Sequence, residues 1–234
     1  MTGDLLVIVP SRGRPGNIAR LLDAVHATRK LETHVHVMVD DDDPKLGEYQ
    51  QVMERAAKDG DKLTVGLRKN LTDWTNEIAV PAAEEYPYLA SLGDDHVPYT
   101  PGWDKALIRA IGQMGGTGFS YPWDNTREDI PEAVVMSSNI VRALGWMALP
   151  ECSHWYIDTA WADLGRGIDA LRHCRAVKVE HVWKADQTSK DSGEKLIADR
   201  DAYYLWRKQR MTDDIRTVAA LREQALQPAE LFLI

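Results

Sequence analysis

Cysteine is nearly absent from this chain: 234 residues hold two, Cys152 and Cys174. Their spacing matches no zinc pattern, and a reduced, cytoplasmic setting is the expectation. Long apolar runs are missing too. None approaches the ~18 residues of a membrane-spanning helix, so no membrane insertion is expected. The first residues lack a basic segment and a small-residue cleavage site, so no secretory signal is expected. Positive charge is short: 28 Lys and Arg stand against 36 Asp and Glu, a net of −8. That argues against non-specific binding to nucleic acid or anionic membranes. Local basic groups remain, with Arg12, Arg14 and Arg20 early and Arg200, Arg207, Lys208 and Arg210 late. No Gly-x-x-x-x-Gly-Lys-Ser/Thr is present, which excludes a P-loop NTPase. Phe is scarce (2) while Trp is frequent (8). Several tryptophans adjoin polar residues, as at Trp103-Asp104 and His154-Trp155-Tyr156. Stacking on sugars or bases and ordinary core packing both fit.

What is present is alternation. Leu5 to Val9 reads as a buried strand. The loop from Pro10 to Asn17 follows, and then Ile18, Leu21, Leu22 and Val25 at amphipathic helical spacing. Val35, Val37 and Val39 mark a second strand, Tyr49, Val52 and Met53 a second helix, and Leu63 to Leu67 a third strand. Asp73 to Tyr86 reads as a helix interrupted at Pro81, and Tyr88 to Leu92 as a fourth strand. Thr100 and Pro101 have the form of an N-cap and first helical position. The order predicts an α/β fold: a mainly parallel sheet with helices on both faces and its ligand at the carboxyl ends of the strands. Strands over Gly118 to Tyr121, Ala133 to Ser137 and Arg175 to Val182 are expected next, with helices over Ser138 to Leu144 and Trp155 to Leu164. Gly145 to Pro150 reads as a mobile turn. Residues 1–192 are expected to form the main domain, with 193–234 a helical extension packed on it.

Acids fall where such a sheet would use them. Asp40 to Asp43 follow the second strand, and Asp94-Asp95-His96 follow the fourth. Both clusters should reach one edge of the sheet. Mn²⁺ or Mg²⁺ takes hard oxygen ligands and keeps positions for substrate phosphates, and it neutralises charge on a leaving diphosphate.

These stretches resemble the GT-A fold, Rossmann-like glycosyltransferases, close to their family-2, inverting type. The carriers are Ile8-Val9-Pro10-Ser11-Arg12-Gly13-Arg14-Pro15, Val39-Asp40-Asp41-Asp42-Asp43, and Leu92-Gly93-Asp94-Asp95-His96 with Pro98 and Pro101-Gly102-Trp103. The resemblance covers residues 4 to about 185. It implies a cytoplasmic transferase that moves a sugar from a nucleotide-diphosphate sugar, most commonly a UDP-sugar, to an acceptor hydroxyl. Pro10, Ser11, Arg12, Arg14, Asp40, Asp42, Arg68, Asn76, Asp94, Trp183 and Lys184 would hold the nucleotide sugar. Asp95, His96 and His181 would hold the metal. His96 stands where the family often has an acid, so either Asp95 is the main ligand or Asp94 and His96 share the ion. Asp158 matches the acceptor-side base, which takes the hydroxyl proton, with Asp163 in reserve. Gly145 to Ser153 matches a flexible acceptor loop, and Ser137, Ser138 and Asn139 would line the acceptor pocket. The acceptor class stays open among a small molecule, a glycan, a protein and a modified DNA base; compact phage-type members keep the last in view. A nucleotidyltransferase and a non-catalytic nucleotide-sugar-binding module are the alternatives. Formation of a diphosphate sugar from a sugar phosphate would mark the first.

Overall fold

A computed structural model of the chain describes residues 3–182 and 195–226. The strands are β1 (Leu5–Pro10), β2 (Thr33–Asp40), β3 (Lys62–Gly66), β4 (Tyr88–Ser91), β5 (His96–Pro98), β6 (Phe119–Trp123), β7 (Val134–Ser137) and β8 (Leu171–His181). They form one sheet in the order β3-β2-β1-β4-β7-β6-β8-β5. β1 to β4 are mutually parallel, and β6 and β8 share their direction. β7 and β5 run the other way. The helices are α1 (Pro15–Thr28), α2 (Leu46–Ala56), α3 (Leu71–Ala82), α4 (Trp103–Gly112), α5 (Ser138–Leu144), α6 (Ile157–Gly167), α7 (Leu196–Gln209) and α8 (Met211–Leu226).

The period of two along β1 sends its residues to two cores. Leu5, Val7 and Val9 meet α1, α2 and α4 through Ile18, Leu21, Tyr49, Trp103 and Leu107. Leu6 and Ile8 meet the other layer, which includes Trp74, Ile140, Trp161, Tyr203 and Trp206. Residues Tyr203, Trp206 and Val218 thus bring α7 and α8 into that same core.

Three local expectations are corrected. Thr100 and Pro101 do not cap α4; Gly102, at φ 76°, holds that position, and the Thr100 hydroxyl accepts from Lys178 N instead. Residues 145–153 are no mobile turn. Trp146, Met147, Ala148, Leu149 and Cys152 are all buried, since this segment is apolar enough to fill the core beside α6. Asn76 fixes it: its amide oxygen accepts from Met147 N (2.8 Å) and Ala148 N (2.9 Å), and its amide nitrogen donates to Ala148 O (2.8 Å). Asn76→Ala leaves those buried groups unpaired and is expected to cost about 3 kcal/mol, read by urea denaturation. Ser137, Ser138 and Asn139 lie away from the site because β7 is antiparallel. Ser137 is opposite Tyr88, at the start of β4, and Asn139 bonds Thr117.

Candidate functional site

The carboxyl ends of β1, β2, β4 and β8 bring the sequence-selected residues to one edge. After β1, Ser11 donates to Asp94 Oδ2 at 2.6 Å and shares a 2.8 Å bond with the Tyr49 hydroxyl. Gly13 N donates to Asp43 Oδ2 (2.7 Å) and Arg14 N to Tyr49 Oη (2.7 Å). The loop from Pro10 to Pro15 is therefore pinned at both sides, and α1 starts at the edge where anions would bind. Arg12 bridges Asp40 (2.8 Å) and Asp42 (2.5 Å); the Asp42 bond, more than the Asp40 one, holds its guanidinium charged. Asp40 Oδ1 also accepts from Trp74 Nε1 (2.7 Å) and Lys69 N (3.1 Å). Arg68 lies at the exposed rim, 3.9 Å from Asp42.

Asp94 is buried, and its carboxylate receives Arg14 Nη1 at 3.2 Å and Asn17 Nδ2 at 3.3 Å. Burial nevertheless raises its pKa. Asp95 sits 3.9 Å from Arg14 and 3.4 Å from His181 Nε2. The other His181 nitrogen, Nδ1, is 2.9 Å from Glu132 Oε2. Burial lowers the His181 pKa, but its bonds to Asp95 and Glu132 outweigh this and lift it to about 10. Glu132 was not foreseen. It precedes β7, and only the reversed direction of that strand carries it to this edge; an isolated acid before a strand was its one sequence signal.

His96 is held inside this edge. Its Nδ1 accepts from Gly93 N at 2.8 Å, and its ring stacks on His181 with centroids 4.5 Å apart. Gly93 is required there: a Cβ would stand 2.7 Å from both Asp95 Oδ1 and His96 Nδ1. Burial lowers the His96 pKa to about 4, so the ring is neutral. It packs against His181 with Nδ1 engaged, while its buried Nε2 has no hydrogen-bond partner among the described residues. The Asn76 amide is engaged by the backbone of residues 147–148. Trp183 and Lys184 lie outside the described residues.

No three Asp, Glu, His or Cys side chains form a ready metal cage among the described residues. Once His181 gives up its Nε2 proton, the Asp95–His181 pair has the spacing of two adjacent ligands. Octahedral ligands at ~2.1 Å from an ion lie ~3 Å apart, close to the 3.4 Å gap. Glu132 on the far ring nitrogen orients the imidazole as carboxylate–histidine–metal triads do.

Beside this pair is a cavity of about 200 Å³, lined by Arg14, Gly16, Asn17, Lys45, Asp95 and Val182 among others. Two cations, Arg14 and Lys45, and the first turn of α1 line it together with two carboxylates, Asp95 and Glu48. That combination suits a diphosphate bridged to a divalent ion.

Asp158 opens α6 and receives Thr159 N at 2.7 Å. Burial raises its pKa, and Glu132 adds to the rise, so the two carboxylates sense each other. Its loop is held from α7. Asp199 accepts from Ser153 N (2.8 Å), His154 N (2.9 Å) and Trp155 N (2.8 Å). Asp163, the reserve, instead accepts from Tyr203 Oη at 2.6 Å.

No protein-family model matches the chain, and no curated protein does. Solved structures do. Mannosyltransferase PcManGT from Pyrobaculum calidifontis, in complex with GDP-Man and Mn²⁺, is 12% identical at a TM-score of 0.63, covering 99% of this chain and 77% of that one. TarS 1–349 from S. aureus, in complex with UDP-GlcNAc, is 11% identical at 0.60, covering 80% and 60%. Glucosyl-3-phosphoglycerate synthase from Mycobacterium tuberculosis, in complex with Mn²⁺, UDP and glucosyl-3-phosphoglycerate, is 10% identical at 0.54, covering 82% and 75%. The fold is that of the GT-A glycosyltransferases. On this GT-A frame, no helix of the described residues is long and apolar enough to cross a membrane.

Proposed function

We propose that the chain is a metal-dependent, inverting glycosyltransferase that uses a nucleotide-diphosphate sugar. The observation that carries this reading is the Glu132–His181–Asp95 line at the mouth of a cavity with cationic groups from Arg14 and Lys45. Neighbours of the same fold that carry UDP- or GDP-linked sugars and Mn²⁺ support it.

In this reading Asp95 and His181 hold the ion, and Glu132 and the His96 ring fix His181 in place. The bound ion supplies charge neutralisation for the leaving diphosphate. Arg14, Lys45 and the start of α1 bind and orient that diphosphate. Arg12 keeps Asp40 and Asp42 together at the base end. Asp158 accepts the proton of the acceptor hydroxyl as its oxygen attacks the anomeric carbon and the diphosphate departs. Its raised pKa makes it a better proton acceptor than an exposed carboxylate.

Thermal unfolding in the presence of UDP-, GDP- and dTDP-sugars with Mn²⁺ or Mg²⁺ tests the reading. One nucleotide sugar with one metal should raise the melting temperature, by about 2.7 kcal/mol of stabilisation at a hundredfold excess over Kd. No response to any pair would overturn it. Glu132→Gln is expected to weaken the metal by about 10- to 100-fold, read as a rightward shift in the metal titration of that stabilisation.

A further inference from the structure

A second cavity, of about 540 Å³, lies between α4 and the first half of β8. It shares no lining residue with the cavity at the strand ends. Lys30, Lys105, Arg109, Arg172 and Arg175 line it, and no acid among the described residues does. Arg175 is paired with Glu128 at 2.9 Å, both well exposed, a contact worth little. Lys30, Lys105, Arg109 and Arg172 make no ion pair among the described residues. The nearby acid does not serve them. Asp104 is fully buried and spends its carboxylate on Lys30 N, Leu31 N, Lys105 N and the Thr33 hydroxyl.

This is an unfavourable arrangement for an empty surface. Lys105 and Arg109 are four apart on one helix, where like charges repel, and Arg172 lines the same groove from β8. The chain as a whole carries −8, yet no acid of the described residues lines the groove. Ala106, Ala110 and Val177 form apolar walls, which strengthen the field felt by an anion. The volume falls within the roughly 300–1,000 Å³ of small-molecule sites, and arginine forks match phosphate oxygens in pairs.

We propose that this groove is a second ligand site, separate from the donor site, for a small compound bearing several phosphates. The proposal stands apart from the transferase reading.

Cys174 lines the groove, and the other cysteine, Cys152, is buried. Alkylation of Cys174 therefore reports occupancy. The full chain, in metal-free low-salt buffer, is treated with iodoacetamide with and without inorganic tripolyphosphate, and Cys174 modification is followed by mass spectrometry. Tripolyphosphate is expected to slow modification by about ten-fold near ten times its Kd, with protection fading as salt rises. Orthophosphate at equal ionic strength should leave the rate unchanged. The double variant R109E/R172E, at two exposed positions, should keep its melting temperature and lose the protection. An unprotected wild type at millimolar tripolyphosphate would overturn the proposal, as would equal protection in the variant. Protection by a single-stranded oligonucleotide but not by tripolyphosphate would also overturn it.

Discussion

Asp95→Ala is expected to lower kcat/KM by at least about 100-fold, and to abolish the metal-dependent stabilisation by the nucleotide sugar. Changing residues behind a metal ligand already costs about 10- to 100-fold; loss of a ligand itself exceeds that. A 100-fold loss is about 2.7 kcal/mol of transition-state stabilisation. The effect has a particular form. Asp95 faces His181 at 3.4 Å and Arg14 at 3.9 Å, so under the proposed function it would join the metal position to the cation that meets the diphosphate. Its removal should raise the metal concentration needed for half-maximal rate more than it changes the nucleotide affinity measured without metal. His96→Gln is the contrast. If the ring only buttresses His181, that variant keeps metal dependence with a weaker response; if it ligates, the two variants match. Equal activity of wild type and Asp95→Ala at all metal concentrations would sink the assignment.

Much of this edge was legible because apolar periodicity places strands, and parallel strands end together. Leu5 to Val9 and Tyr88 to Leu92 read as buried strands of a mainly parallel sheet, and their adjacency in the structure brings Ser11 to Asp94. What was not legible depends on strand direction and on burial. Nothing in Val134–Ser137 distinguishes an antiparallel from a parallel strand. Glu132 was consequently missed and Ser137, Ser138 and Asn139 were placed at the wrong edge. The short β5 was hidden inside the acidic cluster, because three residues carry no period; its pairing of His96 with His181 brings the two rings together. Residues 145–153 were misread because Gly145 and Pro150 signal a turn, while Trp146, Met147 and Leu149 between them were already core-forming. Asn76 then had a backbone to hold, which the sequence could not show.

Asp158→Asn carries the second large effect. A positioned general base contributes about 10²- to 10⁴-fold, and a loss in that range is expected in kcat with little change in donor KM. Fold retention is part of the prediction. Burial raises the Asp158 pKa above its unfolded value, so its ionisation costs stability once the pH exceeds that unfolded value, near ~3.9. The neutral amide removes that cost, so the variant should melt no lower than wild type at neutral pH. The same shift fixes the pH profile. The base works only when ionised, so the acid limb of kcat/KM in wild type should fall at a pH above that of an exposed aspartate, and the residual activity of Asp158→Asn should lack that limb. Asp199→Asn separates positioning from proton transfer. The Asp199 carboxylate accepts from Ser153, His154 and Trp155, so its variant should lower the rate by loosening that loop while keeping the wild-type acid limb. An unchanged limb in Asp158→Asn would move the base elsewhere. Glu132 is the next carboxylate along the same edge and the one already committed to His181.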